Sequence, residues 1–221
     1  MKHEIHISSV HNIYYVGTFM KYILLLFTLL FCISGRTYQT GDIVFIKSQT
    51  AQSQALREAT GSEWTHVGVY IDGKIAEETG GLKLTDFTAF VARSKNKEFK
   101  VFRHREYTKA LDHKLKSLLP KYNKPYDIYF EWSNDRMYCS EFVYKLYQEL
   151  IGVGVGRLQT FNDMNLDTPA VKELIKQRYI KNKKPFNYDE TIITPVSQMR
   201  DENLVDVTSE IYVRGGVTGG G

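Results

Sequence analysis

With two cysteines in 221 residues, this chain has no disulfide framework. Charge of one sign is equally scarce. Lys and Arg are interspersed with Asp and Glu, the formal net charge is +4, and the densest basic run, Lys181 to Lys184, reads as a solvated loop. A nucleic-acid binder concentrates its basic residues on one face, so no nucleic-acid partner is expected. No repeat divides the chain, and the one biased stretch is a glycine-rich tail from Gly215 to Gly221. No set of His, Cys, Asp and Glu shows zinc-type spacing, so neither a metal nor a cofactor is expected. Long hydrophobic runs are missing too. The longest apolar stretch, Tyr22 to Ile33, has 12 residues, where spanning a bilayer takes about 20.

That short stretch has a different meaning. In "MKYILLLFTLLFCISGR", Lys21 precedes the apolar residues and the small residues Ser34 and Gly35 follow them. This is the anatomy of a secretory signal. The 19 residues before it fit no signal pattern, so Met20 is read as the true start and residues 1–35 as an N-terminal extension plus signal peptide. Membrane attachment is expected only through an uncleaved signal or a lipid on Cys32, and Phe31 is a poor match to the small residue such lipidation sites prefer. The expected location is exported, periplasmic or associated with the cell envelope. Residues 36–221 are then a single domain, with 43% apolar and 13% aromatic residues across the chain to fill a core. Removing Cys32 leaves Cys139 alone in a compartment where exposed thiols are normally paired. Such a thiol is either buried or kept for its reactivity.

The chain pattern predicts an α+β domain with an antiparallel sheet. Gly41 to Ser48 reads as a strand, and Ser53 to Gly61 as a short helix closed by glycine. Thr65 to Glu78 reads as a hairpin turning at Asp72-Gly73. Leu84 to Ser94 predicts a short helix capped by Thr85, and Phe99 to Arg105 a strand. Thr108 to Leu119 predicts a helix ended by Pro120. A further helix begins at Pro169 behind a Thr168 cap.

Cys139, Phe142, Val143, Leu146 and Leu150 follow the rhythm of a buried helix stripe, with Ser140 and Glu141 in the first turn and Gly152 at the end. A helix start offers unpaired N–H groups and a positive dipole end, which favour a thiolate and can hold an oxyanion. An inert packed thiol is the competing reading. Among the histidines, His3, His6 and His11 precede the signal, and His104 and His113 sit among charges and read as exposed. His66 stands in an otherwise apolar strand, as a base or as a buried structural histidine. A two-residue turn pairs Gly68 with Glu77, which places Glu77 on the face of His66. A one-residue slip would substitute Glu78, so both glutamates stay candidates for the group that orients the base. Tyr126, Tyr138 and Trp132, beside the cysteine, are candidates to bind substrate.

The segments "GDIVFIKS", "WTHVGVYI", "DGKIAEETGGLKLTDF", "YDIYFEWSNDRMYCSEFVYKLY" and "IITPVSQMRDENLVDV" resemble the circularly permuted NlpC-type papain-like cysteine hydrolases, the YiiX/YebB-like group. The resemblance covers about Thr40 to Val207. The histidine strand precedes the cysteine helix, the reverse of the usual papain-like order. The resemblance implies a sheet packed against a nucleophile-bearing helix, with Cys139 as nucleophile, His66 as base and Glu77 as third polar residue. It implies an amidase or peptidase acting on cell-wall peptides. Relatives of the same layout act on lipid acyl groups, so a lipid acyl hydrolase or acyltransferase is the alternative, and a non-catalytic binding module is a third reading.

Overall fold

The computed structural model describes residues 37–209. The signal-like segment, Cys32, His3, His6, His11 and the glycine-rich tail lie outside the described residues.

Five strands come early: β1 (Ile43–Ser48), β2 (His66–Ile71), β3 (Lys74–Glu78), β4 (Leu82–Asp86) and β5 (Ser94–His104). With the late β8 (Leu204–Asp206) they form a sheet in the order β4-β3-β2-β1-β5-β8, antiparallel at every described pairing. Strands β6 (Gln159–Thr160) and β7 (Thr191–Ile192) make a separate short ribbon. Helices α1 (Ala51–Thr60) and α2 (Phe87–Ala92) are inserted between strands. Helices α3 (Asp112–Leu118), α4 (Cys139–Ile151), α5 (Pro169–Ile175) and α6 (Pro195–Met199) follow β5.

The sheet separates two cores by strict strand alternation. Ile43, Phe45, Val67, Val69, Ile71 and Ala76 face α4, where they meet Phe142, Val143, Leu146 and Leu150. Val44, Ile46, Tyr70, Ile75 and Val101 face the other way, onto Phe87, Phe90 and Val91 of α2. The α4 stripe is the one its sequence spacing predicts, and Gly152 closes the helix in a left-handed conformation at φ 85°.

The β2–β3 turn follows its sequence signal. Asp72 and Gly73 both have positive φ, 48° and 87°, as a two-residue hairpin turn requires. Pairing runs Ile71 with Lys74, Tyr70 with Ile75 and Val69 with Ala76. Elsewhere local propensity is overridden. Thr85 does not cap α2: it belongs to β4, a strand the sequence does not announce, and Asp86 holds the cap position. The helix predicted over Thr108–Leu119 is α only from Asp112 to Leu118, and Pro120 lies within the 3-10 turn that continues it. After α5, Lys176–Ile180 winds wider as a π-helical turn.

His104 is a second correction. Its charged sequence neighbours point to exposure, yet it is buried against Tyr147, with ring centroids 5.8 Å apart. β5 extends to His104, and alternation turns that ring inward. Its Nδ1 accepts from the Glu106 amide at 3.2 Å, and burial lowers its pKa. His113 is exposed as expected.

Candidate active site

The hairpin places a histidine and a carboxylate side by side because it leaves out a side chain between them. A Cβ on Gly68 would come within 2.4 Å of Ile75 Cγ2 and 2.8 Å of the Ala76 carbonyl oxygen. The chain can pass there only as glycine. Across this gap His66 Nε2 and Glu77 Oε2 lie 2.6 Å apart.

Glu77 has no exposed surface. Such burial of a bare carboxylate costs several kcal/mol unless partners offset it. Three side chains are in place. Arg93 Nη2 donates to both carboxylate oxygens, at 2.7 and 2.6 Å, and Thr85 Oγ1 donates to Oε1 at 2.6 Å. Burial pushes the pKa up, but the hydrogen bond and charge of His66, then the hydrogen bonds of Arg93 and Thr85, hold it at about 2. Glu77 is therefore an anion at any ordinary pH. β4 contributes Thr85, and the residue after α2 contributes Arg93. Neither carries a signal in the sequence, because each reaches Glu77 only through the folding of β4 and α2 against β3.

His66 keeps 13% of its side-chain surface exposed and lies over Phe90, with ring centroids 5.6 Å apart. Its other neighbour in the site is Cys139, close enough to act on the ring electrostatically. With Nε2 engaged by Glu77, Nδ1 is the nitrogen left for the thiol. Burial pulls the imidazole pKa down. The effect of Cys139, followed by that of Glu77, outweighs it and raises the pKa to about 9. The imidazole is thus held between Cys139 and the anionic Glu77, a placement that favours its protonated form.

Cys139 opens α4 and is buried at 4% exposure. The first turn around it is held from outside. Ser140 Oγ donates to the Ile193 carbonyl at 2.9 Å, Gln198 Nε2 donates to the Ser140 carbonyl at 2.9 Å, and the Ile193 amide donates to Tyr138 Oη at 3.0 Å. Glu141 is buried beneath it, bonded to Lys145 at 2.6 Å, and burial lifts its pKa to about 7. The acidic residue of the first turn is therefore less an anion at the helix dipole than its position in the sequence implies.

The remaining candidate residues separate. Tyr138 lines a narrow cavity that reaches Cys139, together with Ala55, Leu56, Phe130, Phe161, Leu174 and Ile192. The cavity is a slim cleft of about 70 Å³, and its lining is almost wholly apolar. Gln52 and Arg178 are the polar groups on its wall that bond each other, with Arg178 Nη2 donating to Gln52 Oε1 at 2.6 Å. Tyr126 stands behind Gln52 and accepts from its Nε2 at 2.6 Å. Trp132 is placed elsewhere. It stacks edge-on to Tyr144 at 5.4 Å, under Lys145, and does not line this cavity. Glu78, the other candidate orienting group, accepts from the Gly81 amide at 2.6 Å and turns to the opposite face of β3.

Residues 37–208 match the family described as "Permuted papain-like amidase enzyme, YaeF/YiiX, C92 family". The chain is 33% identical over 200 residues to the uncharacterized protein YiiX of Escherichia coli (strain K12), covering 86% of this chain and 97% of that one. Among solved structures it is similar to one described as the metalloprotein yiiX from Escherichia coli O157:H7. The TM-score is 0.71 and the identity 32%, over 79% of this chain and 98% of the other.

Proposed function

The chain belongs to the permuted papain-like amidases, and on that premise we propose that it cleaves amide bonds through an acyl-enzyme formed on Cys139. The observation that carries this reading is His66 held between Cys139 on one side and Glu77 on the other.

Cys139 Sγ attacks the amide carbonyl carbon, and the negative charge moves to the carbonyl oxygen. Backbone N–H groups at the start of α4 hold that oxyanion. The C–N bond then breaks as His66 Nδ1 gives its proton to the leaving amine, which leaves a thioester on Cys139. A water molecule, deprotonated by His66, attacks the thioester and releases the acid and the thiolate. Glu77 accepts from Nε2 throughout, fixing the ring and offsetting its positive charge. Arg93 and Thr85 act only through Glu77.

A metal role does not suit these residues. Among the described residues no group of three or more His, Cys, Asp or Glu could hold a metal ion. Both oxygens of Glu77 already accept from Arg93. No step of the mechanism uses a metal.

Two substrate classes fit an amidase here, cell-wall peptides and lipid-like acyl groups. The cavity favours the second. A muropeptide carries amides and carboxylates whose desolvation an apolar lining cannot offset, whereas an alkyl chain gains from every ångström it buries. The reading is therefore an amide with an apolar acyl half lying in the cavity and an amine as leaving group. The protein would act after export, in the compartment its N-terminal segment addresses. Incubating the wild type and Cys139→Ala with muropeptides and with long-chain N-acyl amides, and scoring products by mass spectrometry, tests this. The expected result is Cys139-dependent fatty acid plus free amine. Cleavage of muropeptides alone would return the cell-wall reading, and no Cys139-dependent product from either would remove the enzymatic one.

A further inference from the structure

The wall of the Cys139 cavity has an outer side that the proposed chemistry does not use. From α5 onward, Leu174, Ile175, Arg178 and Tyr179 line the cavity. Residues of the same stretch and its continuation turn outward: Lys176, Lys181 and Lys183 are exposed, and Ile180 is 67% exposed. From Lys176 to Lys184 five of nine residues are basic and none is acidic.

Two of the five are already engaged. Arg178 donates to Gln52 and to the Ile128 carbonyl, and Lys184 pairs with Glu131 at 2.8 Å. Lys176, Lys181 and Lys183 make no ion pair among the described residues. Beside them Tyr188 is 56% exposed and Ile128 38% exposed. The ring contacts Tyr129–Tyr179, Tyr179–Phe186 and Phe186–Tyr188, at 5.3, 4.8 and 4.9 Å, tie this apolar edge to the cavity wall. The acids that border the patch are each engaged: Glu131 with Lys184, Glu173 with Gln177, Asp189 with Asn162, and Glu190 with the Trp132 amide and Asn187.

One exposed isoleucine is ordinary. An exposed isoleucine and tyrosine among three uncommitted lysines, on the outer wall of an apolar cavity, have the chemistry of an interfacial site. Lysines meet anionic headgroups while the apolar tips enter the acyl boundary. A protein partner would be recognised by a groove or a shaped pocket, and no well-formed cavity among the described residues is lined by Lys176, Ile180, Lys181, Lys183 or Tyr188, which belong to one π-helical turn and its flanks.

We propose that the face carrying Ile128, Lys176, Ile180, Lys181, Lys183 and Tyr188 seats the enzyme on an anionic bilayer surface. What it serves, delivery of a lipid-borne acyl amide to the cavity, rests on the apolar-acyl reading above; the docking itself does not.

Hydrogen–deuterium exchange of the full chain carrying Cys139→Ala, with phosphatidylglycerol or phosphatidylcholine vesicles, localises the contact whatever residues 1–36 do. Protection across Lys176–Tyr188 is expected with phosphatidylglycerol and not with phosphatidylcholine. It should vanish at high salt and in K176E/K181E/K183E, whose melting temperature checks that it folds. Unchanged exchange in this segment with both vesicles, or full protection in the triple variant, would overturn the proposal. So would protection by polyglutamate but not by vesicles, which would put an acidic protein in place of the lipid. Turnover of a water-soluble N-acyl amide by the same triple substitution with Cys139 intact separates the two ideas. Docking lost with turnover kept supports a seat distinct from the chemistry, whereas absent turnover in the wild type removes the acyl reading and leaves the docking result standing.

Discussion

Glu77 and Glu78 are adjacent on β3, and neither has exposed surface, yet their electrostatic states are opposite. Glu77 looks toward α2, where His66, Arg93 and Thr85 converge on it and hold its pKa at about 2. Glu78 looks toward α4. There it receives the Gly81 amide on one oxygen, its Oε2 has no hydrogen-bond partner among the described residues, and burial lifts its pKa to about 7. Burial acts in the same direction on both. The number and charge of the donors decide the outcome. One residue of register separates a permanent anion that can orient a base from an acid that is half protonated near neutrality.

The largest expected effect tests whether that difference is functional. Glu77→Gln keeps the shape but lets the amide present a donor to His66 and removes the charge that favours imidazolium. Amide hydrolysis should fall roughly 10²–10⁴-fold in kcat, by analogy with loss of the orienting carboxylate in other triads. Glu78→Gln should stay within about threefold, because Glu78 bonds the Gly81 amide and not His66. Steady-state kinetics on both variants decides this; equal losses would mean that the two carboxylates are not distinguished by the chemistry.

A smaller effect sharpens the comparison through stability, and the two signs are opposite. The folded-state pKa of Glu77 lies below its ordinary 4.5, so its contribution is full above about pH 4.5 and is lost as pH falls through about 2. The folded-state pKa of Glu78 lies above 4.5. As pH rises from 4.5 through about 7, the unfolded chain releases a proton that the folded chain retains, and stability is lost over that window. In thermal melts, Glu78→Gln should therefore gain on the wild type as pH rises from 4.5 to 7. Glu77→Gln should fall behind the wild type as pH rises from 2 to 4.5. Parallel curves for Glu78→Gln and wild type would show that its burial leaves its ionisation untouched.

These residues also mark where the sequence is legible and where it is not. The Asp72-Gly73 turn is local chemistry, and together with strand alternation it is enough to place Glu77 beside His66. The α4 stripe is equally local, and so is Cys139 at its start. Arg93 and Thr85 are not legible, because their role depends on β4 folding onto β3 and on α2 returning Arg93 to the hairpin. Thr85 reads as a helix cap until β4 claims it. His104 misleads for the reverse reason: its neighbours in sequence are charged, but β5 carries it inward. Tyr138 is legible from its nearness to Cys139 and does line the cavity, whereas Trp132, close in sequence, is carried to the Lys145 side by the turn that precedes α4. The cavity itself is assembled from α1, α5 and the β7 region, which no single segment reveals.

The most direct measurement is the titration of His66, by ¹⁵N and ¹³C NMR of histidine-labelled protein from pH 5 to 10, in the wild type and in Cys139→Ala. With Cys139 and Glu77 as its two partners, the imidazole should hold its proton to about pH 9 in the wild type. Removing the thiol should lower that midpoint, while Glu77 still bonds Nε2. A His66 midpoint near its ordinary 6.5 in the wild type, unmoved by the loss of Cys139, would contradict the pairing on which the proposed chemistry stands.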